Sequence, residues 1–286
     1  SAQERVRVLD VINSEEYKNL PPSQVVPALA DKGEYIASES SFYRIMHEEK
    51  QQHHRGRSKA PQSRPISTHE ATAANQLWCW DITWLPGPVR GVYYYLYLIL
   101  DIYSRKVVGW EVHEKESSDN ASRLVARTHL REGVGEKPLV LHSDNGSPMK
   151  GASLLTTLYK LNVASSYSRP RVSNDNAYAE SIFRTCKYRP NYPYKGFAGI
   201  TEARQWVLQF VHWYNHTHKH SGIKFMSPAQ RHAGMGDKIM RQREAVYAAA
   251  KAKHPERWSG DIRCWELPNT VYLNPEKEQA VLTETG

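Results

Sequence analysis

The stretch WCWDITWLPGPVRGVYYYLYLILDIYSRKVVGW, residues 78–110, decides the fold of this chain. In its first part, large apolar side chains alternate with smaller or polar ones, which is the period of a β-strand. One face of this predicted strand is apolar, and the other face carries Asp81. A turn at 87–91, a long aromatic and aliphatic strand at 92–103 and a third strand at 106–113 follow. Three consecutive strands with short turns predict an antiparallel meander.

After the meander, helical and strand patterns alternate along the chain. A helix that begins near Ser118 or Asp119 leads to an apolar strand at 139–143, which ends at Asp144. A second helix, a strand at 163–168 and a third helix at 175–188 follow. This order is that of a ribonuclease H-like fold. We therefore predict an α/β core with a mixed five-stranded sheet flanked by helices, in which the first and fourth strands are neighbours.

Three acidic residues fall where this fold would bring them together. Asp81 lies in the first strand, Asp144 follows the fourth, and Glu180 lies at the rim of the buried stripe of the third helix. Three converging carboxylates repel one another and stay ionised at neutral pH only around a positive ion. Oxygen ligands without Cys or His favour Mg²⁺ or Mn²⁺ over zinc. Two such ions about 4 Å apart support in-line phosphoryl transfer, so we predict a catalytic metal site acting on nucleic acid.

Length and composition agree with this prediction. A chain of 286 residues favours two or three modules, and a net charge of +8 with a pI near 9.2 favours polyanionic partners. The most apolar run, at 92–102, is interrupted by Asp101 and is well under the roughly 20 residues of a membrane span. The three cysteines are isolated, which predicts a reducing cytosol without disulfides or cysteine-bound zinc. The polar, charged N-terminal residues predict no signal peptide.

The first fifty residues carry three apolar stripes at helical spacing, punctuated by Pro21-Pro22 and Gly33, with Ser38 as a candidate N-cap. This pattern predicts a helix-turn-helix module; a three-helix scaffold that does not touch DNA fits the spacing equally well. The basic segment that follows, without an acidic residue from Lys50 to His69, favours DNA binding. The predicted modules are a helix-turn-helix module at 1–50, a basic linker at 51–75, the catalytic core at 76–222 and a small C-terminal helical and β region at 223–286.

Other polar residues have structural interpretations. Asp101 is expected to cap the turn at 101–105 or to pair with Arg105, and Asp175 could be a helix N-cap. His142 could line the site, although a strand histidine is more often satisfied by its neighbours. The alternating histidines at 216, 218 and 220 favour polar or DNA-backbone contacts over zinc. A hairpin is predicted at 264–273, and this tail could bind DNA or assist oligomerisation.

Four segments carry a family resemblance: the stretch at 78–110, LHSDNGSP at 141–148, SRPRVSNDNAYAESIFRTCKYRP at 168–190 and WYNHTHKHSGIKFMSPAQRH at 213–232. Together they resemble the DDE transposases of bacterial insertion sequences, whose core is similar to retroviral integrase. Thirty-five residues separate Asp144 from Glu180, which is the interval of that family. The resemblance covers roughly residues 5–275.

The resemblance implies that Asp81, Asp144 and Glu180 are the metal-binding catalytic triad, with Lys187 as the basic residue two turns after the glutamate. It implies Mg²⁺ as the physiological metal, with Mn²⁺ able to substitute and two ions per site. The implied reaction is nicking at the element ends to free a 3′-hydroxyl, followed by attack of that hydroxyl on another phosphodiester, often through a figure-eight to a circle. No high-energy cofactor is needed, because the bond energy is carried through each exchange.

The implied partners are double-stranded DNA with the terminal inverted repeats of the element, target DNA, and further copies of the chain in a dimer or larger homo-oligomer. The expected location is the bacterial cytoplasm, at the nucleoid, without a membrane. The residues predicted to bind DNA are Lys187, Arg171, Arg184, Arg44, Arg55, Arg57 and Lys59.

The chain departs from the family pattern at two places. Many relatives have a glycine where this chain has Pro170-Arg171, so Arg171 is predicted to contact DNA instead of shaping a turn. Relatives are often fused to an upstream helix-turn-helix and leucine zipper, which this sequence lacks; if the chain is the catalytic portion alone, its recognition of element ends is expected to be incomplete. Two alternatives stay open, a metal-dependent nuclease that does not join strands and a transposase-derived DNA-binding regulator.

Overall fold

The computed structural model describes residues 2–52, 66–169 and 173–275, without the side chains of residues 173 and 174. The chain divides into two compact units, Ser1–Arg64 and Pro65–Gly286, which are described separately. Within the described ranges, no helix combines the length and the apolar character that crossing a membrane requires.

The first unit contains three helices, as the sequence predicts. They are α1 Ala2–Asn13, α2 Pro22–Asp31 and α3 Glu39–Glu48. Ser38 caps α3, because its hydroxyl oxygen accepts a hydrogen bond from the Ser41 amide at 3.3 Å. The sequence predicts an apolar stripe of Val6, Leu9 and Val11 with Ile12 in α1, but the buried residues are Val8 and Ile12, one turn apart, and Val6 is 58% exposed. The helix-turn-helix function of this unit stays a prediction.

The second unit contains the predicted mixed sheet. Its elements in chain order are β1 His69–Ala71, β2 Leu77–Pro86, β3 Tyr93–Asp101, β4 Val107–His113, α4 Ser118–Arg131, β5 Leu139–Ser143, α5 Ala152–Lys160, β6 Val163–Tyr167, α6 Ala177–Lys187, α7 Ile200–His216, α8 Pro228–His232, α9 Gly236–Lys253 and β7 Val271–Leu273. The five main strands lie in the order β4-β3-β2-β5-β6. The pairs β4/β3 and β3/β2 are antiparallel, whereas β2/β5 and β5/β6 are parallel. The predicted ribonuclease H-like architecture is confirmed.

Helices cover both faces of this sheet. One face packs against α4 and α5, and the other packs against α6 and α7. The buried stripe of α6 is the predicted one: Ala179, Ile182, Phe183 and Cys186. The expectation that only one face of β2 is apolar was wrong, because Cys79 is fully buried on the α6 side. A central strand that is covered on both faces need not alternate between apolar and polar residues.

Helix starts differ slightly from the sequence prediction. The N-cap of α4 is Ser117, whose hydroxyl accepts from the Asp119 amide at 3.0 Å. The helix α6 begins at Ala177, because the segment Ser173–Asn176 forms a separate turn of 3₁₀ helix. The pair Ser227-Pro228 has the residue types of an N-cap and a first helical position, which predicts a helix start, and α8 begins there with a capping box that Gln230 completes.

The sequence predicts a hairpin at 264–273, and this prediction was wrong. Instead β7 pairs antiparallel with β1, and Ala71 lies opposite Val271. Both residues are buried in the same cluster as α6. Residues 69–71, which were predicted to belong to the linker, are therefore part of the core unit. The partner of β7 lies about 200 residues away in the chain, so local patterns do not reveal the pairing.

Candidate active site

Two of the three predicted acidic residues, Asp81 and Asp144, follow matching positions of two adjacent parallel strands. The parallel strands β2 and β5 pair through Trp80 and Ser143, and Asp81 and Asp144 are the residues that follow them. The strand β5 ends at Ser143, whereas β2 continues to Pro86. Because adjacent strands lie about 4.8 Å apart, this register places Asp81 and Asp144 next to each other at the carboxyl end of β5.

Local hydrogen bonds hold each of these carboxylates by one oxygen. Oδ1 of Asp81 accepts from the Ile82 amide at 2.7 Å, and Oδ1 of Asp144 accepts from the Gly146 amide at 3.0 Å. A Cβ atom at Gly146 would lie 2.8 Å from Sδ of Met149 and 3.2 Å from the Asp144 oxygen. Glycine at this position therefore keeps the turn after β5 tight against the carboxylate.

The pKa of Asp81 is raised to about 7, mainly because the carboxyl group is buried. The negative charge of Asp144 raises this pKa further, and Glu180 and Glu116 add smaller effects, while the hydrogen bond from the Ile82 amide opposes them. Asp144 and Glu180 thus both act electrostatically on Asp81. Such an arrangement favours a cation beside Asp81 or a proton on it.

Glu180 reaches this region from α6. Asn176, just before the helix, donates from Nδ2 to the backbone oxygen of Trp80 at 3.4 Å, which ties the start of α6 to β2 beside Asp81. The apolar stripe of α6 faces the sheet, and Glu180 is exposed. It affects the pKa of Asp81 less than Asp144 does.

Within residues 2–52, 66–169 and 173–275, no three His, Cys, Asp or Glu side chains form a group that could hold a metal ion. The closed triad that the sequence predicts is therefore not formed in this structure. The donor chemistry still fits a hard divalent cation, because only carboxylate oxygens are offered and because burial and the charge of Asp144 raise the pKa of Asp81.

The sequence analysis did not predict a polar network that joins His142, Asp175 and Arg169 next to the site. Asp175 is not a helix cap: its carboxylate accepts from the Arg169 backbone amide at 2.8 Å and from Nε of that arginine at 2.9 Å. The Arg169 guanidinium lowers the pKa of Asp175. His142 is buried and bonds Ser166 at 2.9 Å and the Asp175 backbone oxygen at 3.0 Å, so the interpretation of a satisfied strand histidine is confirmed. The sequence singled out Asp175 and His142 separately, but it gave no sign that the two are joined.

The rival carboxylate Asp101 has a structural role, as predicted. Its Oδ2 accepts from the Ser104 amide at 2.9 Å, which caps the turn after β3. It does not pair with Arg105, whose guanidinium lies 3.9 Å from the centre of the Tyr178 ring.

The predicted basic residues are distributed over both units. Lys187 is half-buried, and burial lowers its pKa while the charge of Asp81 opposes this change, so the ammonium group lies in the field of the site. Arg184 is exposed on the same helix, 5.6 Å from the Tyr188 ring, and Arg44 is exposed on α3 of the first unit. Four further candidates lie outside the described residues: Arg55, Arg57, Lys59 and Arg171.

The histidines after α7 make ring contacts. His218 lies 4.9 Å from the Trp213 ring and 5.3 Å from the Tyr214 ring, and the His220 ring accepts a hydrogen bond from the Gly222 amide at 3.1 Å. No described group of ligands supports the zinc alternative.

Comparisons with known proteins agree with this fold. The chain matches the model described as the integrase core domain over residues 71–173, and a second integrase core domain model over residues 161–228. It is 33% identical over 182 residues to the transposase for insertion sequence element IS904 of Lactococcus lactis, covering 61% of this chain and 69% of that protein. It is 26% identical over 161 residues to the putative transposase for IS150 of Escherichia coli, covering 56% of each. The sheet order and these matches define an integrase-type core, and the chain belongs to the insertion-sequence transposases that carry this core.

Solved structures with a similar chain path include a simian T-cell lymphotropic virus intasome in complex with a PP2A regulatory subunit. That match has a TM-score of 0.47 and 16% identity, and it covers 72% of this chain and 70% of the other. The catalytic core domain of HTLV-2 integrase in complex with magnesium matches with a TM-score of 0.43 and 17% identity, over 56% of this chain and 97% of the other.

Proposed function

We propose that the protein cuts DNA at the ends of an insertion sequence and joins the freed strands to new phosphodiesters by Mg²⁺-dependent in-line phosphoryl transfer. The observation that carries this proposal is the placement of Asp81 and Asp144 on adjacent parallel strands. Family membership supports it, because the relatives are transposases by name.

Asp81 and Asp144 would hold the metal from the sheet, and Glu180 would complete the set from α6. Two bound Mg²⁺ ions, or Mn²⁺ in their place, would supply the charge that activates the attacking oxygen and stabilises the leaving oxygen. Asp81 must be ionised to act as a ligand, so we expect metal binding to release a proton near neutral pH. The backbone amide of Ile82 keeps one Asp81 oxygen oriented during this exchange.

Basic residues would hold the DNA against this edge. Lys187 and Arg184 on α6 would bind phosphates near the site, and the excess of eight positive charges would draw the duplex to the chain. We assign end recognition to the helical unit and the basic linker, and we expect a homo-oligomer to pair the ends. Because DNA is the substrate, we place the protein in the bacterial cytoplasm at the nucleoid.

Product analysis tests this function against its alternatives. The purified chain is incubated with labelled DNA that carries candidate element ends, with Mg²⁺, and the products are resolved on denaturing gels. Joined strands are expected. Nicks without joined strands would favour the nuclease, and sequence-specific binding without metal-dependent products would favour the regulator.

Replacing Lys187 by Ala is expected to weaken DNA binding and to reduce the dependence of affinity on salt. Each phosphate contact contributes a slope of about 0.9 in a plot of log affinity against log salt concentration, so we expect the slope to fall by about 1. Titrations of labelled DNA at several salt concentrations measure this slope.

The matched control is Lys160→Ala, which removes an exposed lysine at the end of α5. It is expected to leave the slope close to that of the wild type. Equal slopes for Lys187→Ala and the wild type would contradict phosphate contact by Lys187.

A further inference from the structure

The last described strand of the chain is attached to the helix that carries Glu180. The strand β7 pairs with β1, and Val271 and Leu273 are buried in the cluster that also contains the apolar stripe of α6. The last described strand thus shares one buried cluster with α6.

Two hydrogen bonds connect β7 and the residue after it to the start of α6 and the turn before it. The hydroxyl of Tyr178 donates to the backbone oxygen of Tyr272 at 2.8 Å. Nδ2 of Asn274 donates to the backbone oxygen of Asp175 at 3.0 Å. These bonds hold residues on either side of the helix start, and Glu180 follows Tyr178 by two positions.

Asn274 is itself fixed by its surroundings. Its backbone is in the left-handed region, with φ +51°, which asparagine adopts more readily than most residues. The Thr68 hydroxyl donates to the Asn274 backbone oxygen at 2.9 Å, and the Asn274 side chain also donates to the Ser67 backbone oxygen at 3.4 Å. Asn274 therefore joins the segment before β1 to the segment before α6.

Packing and hydrogen bonds have different effects on α6. The apolar stripe fixes which face of the helix meets the sheet, but apolar contacts are non-directional and set its position along the strands only loosely. Directed bonds at the helix start fix that position, and they include Asn176 to the Trp80 backbone oxygen, next to Asp81. Bonds from β7 act on the same turn from the other side.

We propose that β7 and Asn274 are a positioning element that sets the first turn of α6, and with it Glu180, relative to Asp81 and Asp144. What Glu180 does once positioned rests on the proposed function. Asn274 and Tyr178 are positioning residues, because they act through the backbone of α6 and not on substrate. The C-terminal segment would thus contribute to the assembly of the active site.

Two variants of the full chain test this proposal. Asn274→Gly removes the amide donor and keeps a residue that tolerates positive φ. Tyr178→Phe removes the hydroxyl and keeps the ring against which Arg105 stacks. Hydrogen exchange of the segment Ala177–Lys187 is measured on the metal-free protein. Each variant is expected to raise the exchange rate in this segment about fivefold, as for the loss of one ordinary hydrogen bond.

The second readout is the Mg²⁺ concentration that gives half of the maximal cleavage rate. If Glu180 is less well positioned, this concentration is expected to rise about threefold or more in both variants, while DNA affinity stays unchanged. The control is Ser227→Ala, which removes the N-cap of α8 in the same unit and does not touch α6. It is expected to lower thermal stability without changing either readout.

The proposal would be overturned if both variants kept the wild-type exchange rate. If the wild type cleaves DNA, variants with the wild-type Mg²⁺ requirement would also overturn it. Equal effects of Ser227→Ala would reduce it to general destabilisation and would also overturn it. If the wild type does not cleave DNA, the proposed function fails, and the exchange measurement alone decides whether β7 positions α6.

Discussion

Asp81→Asn is expected to abolish both cleavage and joining, with a loss of about 10³-fold or more in rate. The variant keeps the size of the side chain and an oxygen that can accept from the Ile82 amide, but it removes the charge that would hold a metal ion. Loss of a metal-mediated contribution of several kcal/mol to transition-state stabilisation has this magnitude. DNA affinity is expected to change little, because a carboxylate does not bind phosphate directly and most of the affinity comes from basic residues elsewhere.

The same variant is expected to stabilise the metal-free protein at pH 7. The pKa of Asp81 is raised to about 7 in the folded protein, from 3.8. A raised pKa means that the folded state binds the proton more tightly, so this contribution is fully present below about pH 4 and is lost as the pH rises through about 7. Asp81→Asn removes this loss, which is on the order of 2–4 kcal/mol. Denaturant unfolding of the metal-free wild type and variant at several pH values measures the difference.

The control for both measurements is Asp119→Asn, which neutralises an exposed carboxylate in the first turn of α4. It is expected to cleave DNA at the wild-type rate and to show the wild-type dependence of stability on pH. Nicking in Mg²⁺ by Asp81→Asn at a rate near that of the wild type would remove Asp81 from the mechanism.

Glu132→Ala is expected to destabilise the second unit by about 3–5 kcal/mol, which corresponds to roughly 10 °C in Tm. Glu132 accepts from Lys106 at 2.7 Å and bonds Nε2 of His232 at 3.0 Å, and its side chain is only 8% exposed. The other ring nitrogen of His232 bonds the Ser104 hydroxyl at 2.9 Å and lies 3.5 Å from Oδ2 of Asp101. Removing Glu132 takes the carboxylate partner from Lys106 and one of two carboxylate partners from His232.

This network also predicts how stability depends on pH. Burial opposes ionisation of Glu132, but hydrogen bonds from His232 and Lys106 outweigh it and lower the pKa to about 2, from 4.5. Its contribution is therefore present above pH 4.5 and is lost as the pH falls toward 2. Burial also lowers the pKa of His232, but hydrogen bonds to Asp101 and Glu132 outweigh it and raise this pKa. The contribution of His232 is present below about pH 6.5 and is lost as the pH rises through its raised pKa.

Thermal and denaturant unfolding across this pH range test the network. The control is Glu256→Ala, which removes a partner of the exposed His254 ion pair and is expected to change stability by less than about 1 kcal/mol. Equal stabilities of Glu132→Ala and Glu256→Ala would contradict a structural role for the network.

Local patterns in the sequence predicted much of the core. The period of two at 78–84 defined β2, and the spacing of the apolar residues of α6 defined its buried face. The caps at Ser38 and Ser227 were also readable, because a capping hydroxyl bonds an amide only a few residues further along the chain. These features depend on neighbours in sequence, so composition and spacing are sufficient to identify them.

The placement of the candidate site was partly predictable. The order of strands and helices implied that β2 and β5 are neighbours. In the structure these strands pair through Trp80 and Ser143, the residues that precede Asp81 and Asp144. The pKa of Asp81 was not predictable, because it depends on burial by helices on both faces of the sheet and on the charge of Asp144. The basic residues at 53–65 and 170–172 stay predictions from sequence.

The sequence by itself determined which segments are helices and strands, their order, and which carboxylates the sheet would bring to one edge. Only the tertiary structure decided that β7 pairs with β1, that Asn274 bonds the segment before α6, and that His232 on α8 bonds Glu132. The physical reason is distance along the chain. Secondary structure follows from interactions between near neighbours, whereas these contacts join residues about 100 to 200 positions apart, and their partners are selected only when the core packs.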